Sequence, residues 1–370
     1  MELYIYNTSL ELLGIIDEIS TLVWTRRYWE CGEFSLLIPM TSRHAALLQN
    51  GRLIARRDTD EMGQIRYLAV TKDENGLEQI ELQGKFLTHW IGKRLLLSSI
   101  VSSAPTHELL ARIVRENLIE PDDPRRVIPP LSLTGMTALQ SETLNCSLPA
   151  YANALDTCSE RAKLAKLGFR IITDLRLKKH FFHVYKGLDR TSGQTENSVC
   201  VFSPDFDNVL SQEYTHSVEN VATAAYVGGE ETESESRQVV EVSDDARTGL
   251  DRDEYFDDAG SITRSYMEDG VQQQLPLEEY LALLTARGHQ VLDQKTENIS
   301  FSSRIDTCAN LTYKKDFDLG DRVTCINRRW GIRIDARITE ITESFESGKE
   351  ELEVTFGTSI PGLNATMKGK

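Results

Sequence analysis

Apolar and polar residues alternate through most of the first hundred positions, with the two-residue period of strands that bury one face. Leu3 and Ile5 alternate with Tyr4 and Tyr6, an apolar stretch runs from Leu10 to Ile16, and Leu22, Trp24, Arg26 and Tyr28 fall on one face of a third strand. Glu30-Cys31-Gly32 interrupts it, and Phe34, Leu36, Ile38 and Met40 alternate on a fourth. A short helix is predicted over 42–49, stopped by Gly51. Two longer strands are predicted over 64–72 and 77–84. They are joined through Asn75-Gly76, both of which accept the positive φ of a hairpin turn.

The period changes between 100 and 200. Thr106 is expected to cap a helix carrying Leu109, Leu110, Ile113 and Val114 on one side and ending before Pro121. Residues 122–130 hold three prolines and are predicted to form a rigid, exposed connector. A second helix is predicted over 149–166, with Pro149 in its first turn and Gly168 as its stop. Strands over 169–174 and 177–185 complete a small α+β unit.

Strands return at 199–202, 209–215 and 220–227. Residues 228–258 are rich in acids, among them Glu233, Glu235, Asp244, Asp245, Asp251, Asp253 and Asp257. They are predicted to form a solvated, mobile loop holding one strand at 239–242. A third helix is expected over 277–294, then strands at 299–305, 321–327, 332–342 and 350–356, and a flexible tail over 359–370.

One layout occurs twice. Gly51, a short strand, Gly63, a long strand, Asn75-Gly76, a long strand and Gly84 are matched by Gly320, Gly331, a long strand, Ser347-Gly348, a long strand and Gly357. A duplication of this kind predicts two similar β-barrels with an α+β unit inserted between their halves. Three copies of such a chain would set six like barrels around a ring, giving pseudo-sixfold symmetry from threefold.

Composition narrows the function. At 370 residues the chain exceeds the ~100–200 of one domain. Acidic residues number 57 and basic residues 41, a formal charge of −16 that disfavours holding nucleic acid by its phosphates. An acidic channel wall would instead let DNA pass without sticking. No apolar run approaches the ~20 residues of a membrane span, so no stable membrane insertion is expected. The opening MELYIYNTSLELL carries an acid where a signal peptide carries basic residues, which predicts synthesis in the cytosol without export by that route. The six cysteines, at 31, 146, 158, 200, 308 and 325, form no C-x-x-C pair and are read as reduced thiols.

Three stretches carry a resemblance: Leu22-Val23-Trp24 with Tyr28-Trp29-Glu30-Cys31-Gly32-Glu33-Phe34-Ser35-Leu36; Val184-Tyr185-Lys186-Gly187-Leu188-Asp189-Arg190-Thr191; and Asp316-Phe317-Asp318-Leu319-Gly320-Asp321-Arg322-Val323 with Trp330-Gly331-Ile332. They resemble the siphophage tail-tip hub proteins, akin to the baseplate hub of contractile-tailed phages and the N-terminal part of tail-associated lysins. The resemblance implies a homotrimeric hub with two tail-tube-like barrels around a channel, made in the host cytoplasm and placed at the virion tail tip. It implies the tail tube or distal tail protein as a partner above and tip, spike or fibre proteins below, with the tape measure protein as a further neighbour. The hydrolase carried by longer relatives is expected to be absent.

Candidate chemistry is sparse. His180 and His183 have H-x-x-H spacing, but on a strand residues three apart point to opposite faces and do not share a metal. Asp251, Asp253 and Asp257 suggest calcium, yet an EF-hand would need a glycine at its sixth position, where Phe256 stands. Gly228-Gly229 follows a strand but opens no helix, so no phosphate cradle is expected. His44, His89, His107, His216 and His289 have no helical i, i+4 partner. Trp24, Tyr28 and Trp29 are either core and interface residues or a sugar platform.

These features predict a β-rich α+β fold: a first barrel over 1–99, an inserted α+β unit over 100–198, strands joining a second barrel over 199–228, an acidic loop and helix of the insertion over 229–296, and the second barrel over 297–358. No catalytic, cofactor-binding or metal residues are assigned, no cofactor is expected, and no sequence-specific nucleic-acid binding is expected. A tail-associated cell-wall hydrolase and a carbohydrate-binding adhesin are the alternatives.

Overall fold

The computed structural model describes residues 1–357 apart from 73, 135–138, 145, 232–235, 244–246, 269–270, 307–308 and 347. The expected 359–370 tail, Cys308, Ser347 and the acids Glu233, Glu235, Asp244 and Asp245 lie outside the described residues. The molecule is organised by one large, mainly antiparallel sheet that takes strands from both ends of the chain.

In the N-terminal half, Thr21–Arg27 pairs with Glu33–Pro39, which pairs with Glu78–Phe86, which pairs with Met62–Lys72, which pairs with Leu53–Arg56. In the C-terminal half, Val209–Ser217 pairs with Asn298–Ile305, then Lys349–Gly357, then Ile332–Glu346, then Arg322–Asn327. The order is the same, and every one of these contacts is antiparallel. The halves differ at their outer strand: Leu3–Tyr6 runs antiparallel to Leu53–Arg56, whereas Val201–Phe202 runs parallel to Arg322–Asn327.

The repeat extends to the backbone. The long central strand of each half carries a bulge, between Ile65 and Tyr67 and between Ile338 and Glu340, where it passes from one partner strand to the next. Gly51 N donates to Ile65 O and Ile65 N to Arg52 O; Gly320 N donates to Ile338 O and Ile338 N to Asp321 O. Gly51 and Gly320 have φ of 90° and 94°, in the left-handed region that favours glycine. Gly76 and Gly348 coincide in the hairpin turns. Gly63 and Gly331 do not: the first lies inside a strand and the second in a turn. Gly84 is likewise matched by Phe356, not by Gly357, because Ile65 faces Gly84 while Ile338 faces Phe356.

Two β-barrels are expected from the sequence; among the described residues neither half closes into a barrel by itself. The halves merge where Ile332–Glu346 pairs with Thr21–Arg27, Glu340 facing Arg27 and Glu346 facing Thr21. Among the described residues the merged sheet stays open.

Four cores follow from the side-chain pattern. Leu3, Ile5, Leu22, Trp24, Phe34 and Ile80 fill the N-terminal half, and Phe202, Phe301, Val323, Ile338 and Phe356 the C-terminal half. A third core joins the helices Thr106–Val114 and Ala154–Leu164 to the hairpin Gly168–Asp174/Lys179–Tyr185, and reaches Tyr6, Leu53 and Met62 on the outer side of the N-terminal half. The fourth lies under helix Leu277–Gln294.

Local details differ from expectation. Thr106 is the first residue of its helix, not its cap, and its hydroxyl donates to the Glu142 carbonyl at 2.9 Å. The second helix begins at Ala154, capped by the Asn153 side chain, because its amide oxygen can meet the free amides of Leu155 and Asp156 whereas Pro149 offers no such group. The acidic segment is more ordered than predicted: Val239–Ser243 and Glu254–Asp258 both pair with Ala224–Gly228.

Candidate functional site

The three stretches that carry the resemblance meet at Tyr28. This side chain is fully buried; its hydroxyl contacts the carbonyls of Lys166 at 3.2 Å and Tyr185 at 3.4 Å, and receives Gly187 N at 3.4 Å. Tyr185 stands edge-on to the Tyr28 ring at 5.3 Å, and the Arg337 guanidinium lies 5.4 Å from the ring centroid. Gly187 and Gly320 are in such close backbone contact that a Cβ on Gly187 would strike the Gly320 carbonyl, and a Cβ on Gly320 would strike the Tyr28 ring. Asp321 fastens the joint: its carboxylate accepts from Leu188 N at 2.8 Å, Arg190 Nε at 2.8 Å and Asp318 N at 3.1 Å. Residues 28, 187 and 320 are remote in sequence, so this contact closes the α+β unit onto both halves of the sheet.

Beside it lies a buried ionic network that sequence reasoning missed. Arg26 Nε donates to Glu61 at 2.7 Å and its Nη1 to Tyr313 Oη at 2.8 Å and Asp318 at 2.9 Å. Arg170, from the α+β unit, reaches the same Glu61 at 3.5 Å and Asp60 at 3.3 Å. Burial opposes the Arg26 charge, but Glu61, Tyr313 and Asp318 outweigh it and hold the guanidinium protonated well beyond its usual range. A second set joins Arg56 to Asp58 at 2.6 Å and Glu343 at 2.7 Å, with Lys314 2.8 Å from Asp58. Burial would raise the Asp58 carboxyl, yet hydrogen bonds from Arg56 and Lys314 hold it down at about 2. The one sequence signal was Arg26, a charge on the apolar face of its strand.

The residues weighed as chemistry have other roles here. His180 is fully buried, its Nδ1 2.9 Å from Thr173 Oγ1 and its ring edge-on to Trp90; burial drives its pKa down to about 4. His183 packs flat on Tyr185 and lies 3.3 Å from Thr134 Oγ1. Asp257 is bound at both oxygens by Arg287, at 2.7 and 3.1 Å. Gly228 and Gly229 present their carbonyls to Arg237. Trp24 is packed between Phe34 and Phe86 in the core, and Trp29 is half-buried beside Lys163. Cys146, Cys158, Cys200 and Cys325 are buried and unpaired; Cys31 is half-buried, with burial pushing its thiol up to about 12. Among the described residues no group of three or more His, Cys, Asp and Glu side chains is placed to hold a metal, and no helix is long and apolar enough to cross a membrane.

What the fold leaves open is backbone. Among the described residues Val209–Ser217 pairs only with Asn298–Ile305. The outer half of Met62–Lys72 pairs with Glu78–Phe86 on one side, while its other side has a strand only as far as Gln64 among the described residues. Tyr67 and Val70 on that stretch are about half exposed.

The comparisons agree with this architecture. The sequence matches the Siphovirus ReqiPepy6 Gp37-like protein family over residues 2–358. No curated protein matches it. Similar solved folds include the prophage tail protein gp18 from Listeria monocytogenes EGD-e, with 11% identity over 100% of this chain and 98% of that one at a TM-score of 0.55. The 43 kDa tail protein of prophage MuSo2 from Shewanella oneidensis has 9% identity over 96% and 98%, at 0.58. The tail protein from Neisseria meningitidis MC58 has 10% identity over 96% and 96%, at 0.55. A match along nearly the whole sequence makes this chain a member of the Siphovirus ReqiPepy6 Gp37-like protein family, and its fold is shared end to end with solved phage tail proteins.

Proposed function

We propose that this tail protein is a non-enzymatic hub at the distal end of the virion tail, a homotrimer whose doubled β-module alternates around a channel wide enough for DNA. In this reading residues 1–99 and 297–358, with the joining strands 199–228, supply two tube-like modules. Residues 100–198 and 229–296 supply an insertion that widens the ring on one side. The tail tube or distal tail protein would bind above, and tip, spike or fibre proteins below.

The observation that carries this reading is the repeated strand order. A sheet whose halves have the same topology and bulge, yet closes on neither, satisfies its free edges by meeting further copies of the same module. The ionic and Tyr28 joints fix the angle between the halves, which a ring of defined size requires. The hub reading needs no catalytic residue, and of the suggested sugar platform Trp24 and Tyr28 are core residues while Trp29 is half-buried.

Sedimentation of the purified chain at micromolar concentration, with electron microscopy of tail tips, tests it. Trimers and a ring under the tube are expected; a stable monomer with no ring in tail particles overturns it. A zymogram on purified peptidoglycan should remain uncleared. Clearing that disappears when one acidic residue is changed would establish the hydrolase alternative instead.

A further inference from the structure

We infer that the partner strand of the open Met62–Lys72 edge is Val209–Ser217 of a second copy, paired antiparallel with Val70 facing Tyr214 and Thr71 facing Glu213. The inference rests on the hub reading and adds to it the surface and register of the contact.

The argument is internal to the chain. The bulges align Ile65 with Ile338, and so Tyr67–Lys72 with Glu340–Phe345. Ladder contacts carry the alignment outward. Gly84 corresponds to Phe356, Phe34 to Phe301, and Trp24, which faces Phe34, to Tyr214, which faces Phe301. Thr21–Arg27 is therefore the counterpart of Ser211–Ser217. In the C-terminal half, the edge Glu340–Glu346 is filled by Thr21–Arg27 of the same chain. In the N-terminal half, among the described residues, the matching edge has no strand, while the matching strand, Val209–Ser217, has a free side.

One socket is filled and its duplicate is empty; one plug is used and its duplicate is free. Within the chain, Glu343 faces Trp24 and Ser344 faces Val23. Translated to the empty socket, these become Val70 facing Tyr214 and Thr71 facing Glu213. Side chains are not preserved in this translation: the Arg27–Glu340 ion pair, at 2.7 Å, becomes Ser217 facing Tyr67. The shared element is the backbone, and an antiparallel ladder is made of backbone groups. Because plug and socket are different surfaces of one chain, the contact is heterologous and propagates around a ring. It would also cover Val70, about half exposed in the single chain.

The test uses the full chain with paired cysteines. Thr71 and Glu213 are both exposed. Under mild oxidation or with a short bifunctional thiol reagent, T71C/E213C should give covalent dimers and trimers, while each single variant stays monomeric on denaturing gels. T71C/S217C, displaced by about 13 Å along the strand, should give at least about tenfold less. V70K, a charge on the edge itself, should raise the trimer dissociation constant tenfold or more while leaving the monomer's circular dichroism unchanged.

A ring that persists with no T71C/E213C product, or that links better through S217C, overturns this register and leaves the hub reading standing. A wild-type chain that is monomeric and never crosslinks overturns both. Products that stop at the dimer support the strand pairing and overturn the ring.

Discussion

Arg26 is a guanidinium on the buried face of a strand, where Leu22, Trp24 and Tyr28 are its neighbours, and it is tolerated because Glu61, Tyr313 and Asp318 surround it. Removing Glu61 leaves Arg26 in place without its best partner and deprives Arg170 of an acceptor. Glu61→Ala should cost about 3–5 kcal/mol in denaturant unfolding, the usual penalty for stranding a buried charge. Asp318→Ala removes a carboxylate that is 44% exposed and should cost under about 1 kcal/mol. Equal losses for the two would show that burial does not set the difference. His180 makes a separate prediction. Burial lowers its folded pKa to about 4, below its ordinary 6.5, so it stays neutral in the native chain while the unfolded chain takes up a proton first. Its contribution is full above pH 6.5 and is lost as pH falls toward 4, by up to about 3 kcal/mol. His180→Phe should flatten the decline in stability over that window; an unchanged slope would remove His180 as its cause.

At the scale of elements, the acidic segment shows how a sheet forms in a sequence that reads as loop. Val227, Val240 and Val242 are the apolar positions of its sheet that pack under helix Leu277–Gln294. Tyr280 ties that helix down: its hydroxyl receives Glu230 N at 2.9 Å and donates to Ile262 O at 3.1 Å. Tyr280→Phe keeps the ring and strands both backbone groups, at a cost of about 1–3 kcal/mol. Limited proteolysis should then cut within 229–275 at lower protease concentration, with the large sheet still resistant. Cleavage spread evenly along the chain would mean that the segment is not a separate cooperative unit.

For the whole molecule, charge and assembly pull against each other. A chain of net charge −16 repels its own copies, and screening weakens that repulsion over a Debye length of ~8–10 Å near physiological salt. If backbone pairing between free edges holds the ring together, self-association should tighten between low and moderate salt. Sedimentation at ~0.05 and ~0.3 M sodium chloride measures this. Weaker association at the higher salt would mean that complementary charges hold the copies together.

Period and punctuation in the sequence were enough to determine a β-rich chain, its interrupting helices, and a duplicated meander. A two-residue alternation fixes which face of a strand is buried, and Gly51 and Gly320 mark the same left-handed step before each bulge. The likeness around Tyr28, Gly187 and Gly320 was also readable, since these positions need particular residue types for close packing. Only the tertiary structure decided that the two meanders share one sheet, because strand pairing depends on backbone groups that every residue carries alike. The same holds for the ionic joint: nothing near Glu61 in sequence announces Arg26, Arg170 or Asp318. Alternation along a strand records which side is covered, and leaves to the folded chain which strand lies alongside it.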